Sequence, residues 1–191
     1  PTAGRLTMMK NTVDPMAVSA GMFAACLAGR GYTGTETVFE GKEGLMEVLG
    51  PGWRAEALVD GLEHLTRGDA HGEAREFKIS QCSMKAFPAE ALTHTHITAT
   101  LKVMRESGVD WQAIDTVQVT TIARACDILY DSHKYQPDSR ETADHSLTYC
   151  VAVAIVDRAV TAGSFAEEKL HDPRIREVMG KIHGIPSHEF E

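Results

Sequence analysis

Residues 16–27 leave no face of a helix for water. Met16, Ala17, Val18, Ala20, Met22, Phe23, Ala24, Ala25 and Leu27 would coat it almost all round. A helix that is apolar on every side has to be buried among other elements. Asp14 is placed to cap it, with Pro15 at its first position. Gly29 and Gly31 are placed to end it. This stretch predicts that the chain opens in a helical bundle. Lys10, just ahead of it, is in an odd place for an unpaired cation.

Beyond this helix the pattern changes. Tyr32-Thr33-Gly34 reads as a turn, and Thr35 as the cap of a short helix before Gly41. Leu45 to Leu49 gives one more helical turn, closed by the breaker Gly50-Pro51-Gly52. Residues 53–75 are polar and glycine-dotted, with a weakly amphipathic stretch from Ala55 to Leu65 and a connector from Gly68 to Gly72. Phe77 to Cys82 alternates apolar and polar, which predicts a half-buried strand. Ile97, Leu101 and Met104 then recur at helical spacing until Ser107-Gly108. Thr116 to Ile122 predicts a second strand, while Ala123 to Tyr130 fits either strand or helix. After an exposed loop around Pro137, Thr142 or Asp144 should cap a long helix with a buried stripe of Leu147, Cys150, Val151, Ala154 and Ile155. Gly163-Ser164 should end that helix. Asp172-Pro173 should open the last one, through Met179 to Gly180, with an irregular tail from His183. Helices first, then strand–helix–strand–helix–helix, is an α+β order. We place the end of an all-helical domain plus connector at residues 1–75, and a smaller α+β domain at 76–191.

Composition narrows the function. A net charge of −8 and a pI of about 5.6 exclude a nucleic-acid partner. Cations that handle acidic ligands must therefore be concentrated locally. Cys26, Cys82, Cys126 and Cys150 are far apart and form no Cys-x-x-Cys pair, which argues against a zinc ribbon, an iron–sulfur cluster or a disulfide framework. They read as reduced cysteines of a cytoplasmic protein. The longest apolar run, Tyr149 to Val156, is too short to span a bilayer, and no signal peptide opens the chain. Pro1-Thr2-Ala3-Gly4 lacks an initiator methionine, as a cut end would; methionine removal or a tag scar gives the same start.

The chemistry concentrates in Met84 to His96, which holds Lys85, Glu90, His94 and His96 within a few residues. These side chains hold anions and move protons. Pro88 suits a turn into a helix, whose start offers free N–H groups and a positive dipole end to a carboxylate. His94-Thr95-His96 resembles a zinc pair, but two residues diverge by about 200° around a helix. One histidine then faces the site, the other turns away, and no third ligand is evident. Taken alone, Lys85 is equally a surface lysine and Tyr130 a core aromatic with a satisfied hydroxyl. His145, in the first turn of the expected helix, is either a neutral catalytic imidazole or part of a cap. His64 and His71 have no company at ligand spacing and read as solvated. Gly29-Arg30-Gly31 lacks the third glycine and the preceding strand of a dinucleotide fingerprint.

Three segments together resemble the MmgE/PrpD family. They are Met9-Lys10 with Gly31-Tyr32-Thr33-Gly34 and Val38-Phe39-Glu40-Gly41; Phe77-Lys78-Ile79 with Lys85-Ala86-Phe87-Pro88-Ala89-Glu90 and His94; and Glu141-Thr142-Ala143-Asp144-His145-Ser146 with Tyr149. The resemblance implies a cofactor-free, cytoplasmic homodimer with a site between a helical domain and a lid-like α+β domain. Its reaction would be a 2-methylcitrate-dehydratase-like loss of water from a small di- or tricarboxylic acid, with decarboxylation or epimerisation as alternatives. A non-catalytic acid-binding or dimerisation module is a further alternative. By the same resemblance Lys10 and Lys85 would bind carboxylates, and His94 would be an acid or base. Tyr130 lies near a tyrosine of the decarboxylases, and Glu90 stands where some relatives carry histidine. Members are more than twice this length, so the resemblance also implies a fragment without a complete site.

Overall fold

The computed structural model describes residues 3–50, 52–54, 56, 60 and 78–190. Along the chain the helices are α1 (Val13–Ala28), α2 (Leu45–Leu49), α3 (His94–Ser107), α4 (Ala123–Leu129), α5 (Arg140–Ala143), α6 (Leu147–Asp157), α7 (Glu167–Leu170) and α8 (Pro173–Met179). The strands are β1 (Val117–Ile122) and β2 (Ile182–Ser187). This mixture of helices with a small sheet fits the α+β class. Two compact units divide the chain: Pro1–Met16 with Met84–Glu191, and Ala17–Ser83. Most of Ala55–Leu65, the Gly68–Gly72 connector, Phe77, His64 and His71 lie outside the described residues.

The core of the first unit is built on α6. Its start is fixed by Ser146, whose Oγ accepts from Tyr149 N at 3.1 Å. Every residue from Leu147 to Ile155 is buried, so the helix must be covered on all sides. Ile97 and Met104 of α3, Ile175, Val178 and Met179 of α8, Phe165, Leu129 and Ile182 share its core. Each side chain of this size withdrawn from water stabilises the fold by about 1.5–3 kcal/mol. Tyr149 donates its hydroxyl to Ser164 O at 2.7 Å, and burial pushes that phenol's pKa well up.

The two strands pair in parallel, Val117 opposite Ile182 through to Ile122 opposite Ser187. The tail expected to be irregular is therefore mostly strand, because β1 offers it a hydrogen-bonding edge. Phe77–Cys82 shows the converse. Its described part is a 3₁₀ turn at Lys78–Gln81 rather than a strand, since alternation makes a strand only where another strand pairs with it. Ala123–Leu129 resolves as helix.

The long helix expected from Thr142 or Asp144 is two helices. Ser139 caps α5 through Thr142 N, and Ser146 caps α6, so Asp144 and His145 fall in the joint between them. Nor does α6 run to Gly163. It ends at Asp157, where Arg158 takes the left-handed conformation at φ 56°. The Arg158 guanidinium compensates by donating to Met104 O at 2.7 Å and to Val109 O, which satisfies the end of α3. Gly108, at φ 63°, makes the stop of α3 itself.

The largest departure concerns α1. It starts at Val13, which places Asp14 inside the first turn rather than at the cap. Far from being buried in a bundle, it is exposed along its length, with only Leu27 half-buried. Within Ala17–Ser83 the other described helix is α2, whose five residues are too short to cover it. Residues 36–40 form turns instead of the helix expected after Thr35, closed by the bond from Gly41 N to Thr37 O at 2.9 Å.

Candidate active site

Residues 4–11 are laced onto the α5–α6 region and the turn before it by side chains far away in sequence. Gly4 N donates to Asp131 Oδ2 at 3.1 Å, and the fully buried Lys134 donates to Gly4 O at 2.6 Å and to Asp131 Oδ2 at 3.1 Å. Leu6 N donates to Thr142 Oγ1 at 3.1 Å, and Asn11 Nδ2 donates to Glu141 Oε1 at 3.0 Å. Burial alone would raise the Asp131 carboxyl. The Gly4 N–H, the Lys134 ammonium and the His133 N–H together outweigh it and hold the carboxyl below its ordinary range.

This lacing brings Lys10 to Asp144. The Lys10 Nζ and Asp144 Oδ2 stand 4.0 Å apart, a loose pair with both side chains partly open to solvent. Lys10 is thus not the unpaired cation its sequence position suggests. The other Asp144 oxygen, Oδ1, meets Nδ1 of His145, whose residue is 2% exposed. A carboxylate oxygen only accepts, so this contact places the proton of a neutral His145 on Nδ1. No hydrogen-bond partner for Nε2 is found among the described residues. The buried Cys150 thiol donates to Ala143 O at 3.6 Å, and burial pushes its pKa well up.

The Met84–His96 segment joins the same place through its backbone. Glu90 N donates to Asp144 O at 2.9 Å. One residue earlier, Ala89 O accepts from Lys85 Nζ at 2.9 Å and lies 3.4 Å from His94 Nε2. Phe87 packs edge-on against the His94 ring, centroids 5.5 Å apart. The start of this helical segment does bind a carboxylate, but the chain supplies it. Glu90 Oε2 accepts from Leu92 N at 2.6 Å, so the seat expected for an outside anion is already filled.

Lys10, Lys85, Glu90, His94 and His145 are therefore linked by contacts through Asp144 and Ala89. Tyr130 is placed differently. It donates its hydroxyl to Ile182 O at 3.1 Å, packs tilted against Tyr135 with ring centroids 4.9 Å apart, and lines a cavity of about 300 Å³ with Thr148, Arg176 and His183. The helical divergence of the two nearby histidines holds. His96 lines a different cavity of about 880 Å³, between α3 and β1, that holds none of these candidate residues. Its Nδ1 is buried without a hydrogen-bond partner among the described residues. Burial draws its pKa below the ordinary value, against the Leu92 carbonyl and the Glu90 charge.

Sequence reasoning missed the hub. Asp144 read only as a possible helix cap, although its adjacency to His145 in a chain rich in caps was the available signal. Glu141, Asn11 and Lys134 gave none. Among the described residues no group of three His, Cys, Asp or Glu is placed to hold a metal ion, the cysteines form no disulfide, and no helix is long and apolar enough to cross a membrane.

Comparison with known proteins identifies the family. Residues 87–191 match the MmgE/PrpD C-terminal domain. The chain is also similar to cis-aconitate decarboxylase of Mus musculus, 26% identical over 185 residues, which is 95% of this chain and 36% of that protein. It thus spans about a third of the length of that curated relative.

Proposed function

The chain belongs to the MmgE/PrpD family, and from that membership we propose that it acts on small polycarboxylic acids as a 2-methylcitrate-dehydratase-like hydro-lyase. A C–H bond beside a carboxylate is weakly acidic. Removing its proton needs cations for the charge that develops on the carboxylate, and a base nearby. The observation that carries this reading is the contact chain through Asp144, which gathers lysines, imidazoles and a carboxylate within one unit of the fold. Lys10 and Lys85 have the charge to take carboxylates; their present partners, a loose ion pair and a backbone carbonyl, are easily exchanged.

Decarboxylation is the second reading, favoured by the relative's name. Both begin by redistributing charge around a carboxylate, so the same clamp serves either. Calorimetric titration with citrate and cis-aconitate tests the clamp. Binding should weaken at least tenfold in Lys85→Ala and in Lys10→Ala, since each removes a charge-assisted contact worth about 1.5–3 kcal/mol. Proton NMR of products from 2-methylcitrate and cis-aconitate then separates loss of water from loss of carbon dioxide. No binding of either acid to the wild-type protein would sink the proposal in favour of a non-catalytic module.

A further inference from the structure

We infer that Asp144 is the positioning residue of this site: it fixes His145 with Nε2 as the proton-accepting atom and holds Lys10 beside it. The inference deepens the proposed function and rests on it for the substrate class. Among the described residues, Asp144 is the one whose two carboxylate oxygens reach two different candidates, Oδ1 to the His145 ring and Oδ2 to Lys10. Its carbonyl accepts from Glu90 N as well, so its backbone is pinned to the Lys85–His94 segment. It is held on the other side by the joint between two capped helices, with Ser139 and Ser146 at the two starts.

The chemistry follows from the donor rules. With the Nδ1 proton directed at Asp144, the lone pair of a neutral His145 sits on Nε2. His94 is the weaker candidate. Its Nε2 faces a carbonyl at 3.4 Å, where it can only donate, and among the described residues no carboxylate bonds its ring. In the proposed step the C–H bond beside a substrate carboxylate breaks. Its proton forms an N–H bond at Nε2, and the bonding electron pair passes onto that carboxylate. The resulting imidazolium is balanced by Asp144, and the added charge on the substrate by the lysines. A carboxylate behind a histidine acts in this way by holding tautomer and orientation rather than by taking the proton itself.

Two measurements decide it. Long-range nitrogen–proton NMR reads the His145 tautomer without any substrate. It should show the Nδ1–H form in the wild-type protein and lose that preference in Asp144→Asn. Deuterium incorporation from heavy water into the methylene of cis-aconitate, read by proton NMR, follows proton removal whatever the later step. The exchange kcat should fall about 10- to 100-fold in Asp144→Asn, the range for losing an orienting partner, and at least as far in His145→Gln. KM should change less than threefold in both. Lys10→Met should instead raise KM. An Nε2–H tautomer in the wild-type protein overturns the inference, as does undiminished exchange in a folded Asp144→Asn protein. Failure of the wild-type protein to bind cis-aconitate would remove the polyacid reading, while the tautomer would still decide the role of Asp144.

Discussion

α1 and α6 are both apolar on nearly every side, yet the first is exposed along its length and the second is buried from Leu147 to Ile155. Composition therefore does not explain the difference. α6 is surrounded by α3, α8 and the strand pair, and its two ends are fixed by the Ser146 cap and by Arg158, which reaches the end of α3. Among the described residues of Ala17–Ser83 the other α-helix is the five-residue α2, which buries no residue of its own. Apolarity all round states that a helix requires cover; it does not say which residues will supply it.

The sharpest way to break this contrast is to place the same charge in both helices. Val151→Asp should unfold the α6 unit, costing more than about 4 kcal/mol, because the buried carboxylate has no partner. Phe23→Asp, at a position 67% exposed, should cost no more than about 0.5 kcal/mol. Urea denaturation followed by circular dichroism measures both. Equal losses would mean that α1 is covered in solution.

Two glycines sharpen the same comparison with a smaller effect. A Cβ on Gly184 would stand 2.9 Å from Tyr130 Cδ1 and 3.4 Å from Leu147 Cδ2, against the start of α6. Gly184→Ala should therefore destabilise by about 1–3 kcal/mol, through overpacking. On α1 a Cβ at Gly21 meets nothing within 4 Å, and Gly21→Ala should stabilise that helix by about 0.5–1 kcal/mol. Thermal melts of the two variants should move in opposite directions.

The smallest effect concerns the lacing that holds the residues before α1 on the α6 unit. The Asp131 carboxyl lies below its ordinary range when folded, so the unfolded chain takes up this proton first as the pH falls. Its contribution is complete above the ordinary aspartate pKa of about 3.9. It is lost as the pH drops through the folded value. The Gly4 amide should therefore keep its protection from hydrogen exchange at neutral pH and lose it in acid, and Asp131→Asn should flatten that dependence. Gly4 protection at neutral pH as strong in Asp131→Asn as in the wild type would remove Asp131 as the clasp.

Much of the fold was legible because its signals are local. Asp172-Pro173 opens α8, Gly108 stops α3, Thr116–Ile122 alternates, and the ring spacing of Ile97, Leu101 and Met104 marks a buried helix face. Errors arose where a partner distant in sequence decides. The tail becomes β2 because β1 is free to pair, and Arg158 ends α6 early because α3 needs its guanidinium. For the site, the lysines and histidines were visible as residue types able to bind acids and move protons. The linking residue was not, since nothing in Ala143-Asp144-His145 tells which cation will be brought to it.

By itself the sequence determined the stop of α3, both ends of α8, the alternation of β1 and the divergence of His94 from His96, all of which rest on neighbours within a few positions. Only the tertiary structure decided that Lys10 meets Asp144, that Glu90 N meets Asp144 O and that α6 rather than α1 becomes the core. Those outcomes depend on hydrogen bonds and packing between segments as much as 136 residues apart, as Leu6 and Thr142 are. Contacts of that reach leave no periodic trace in either segment.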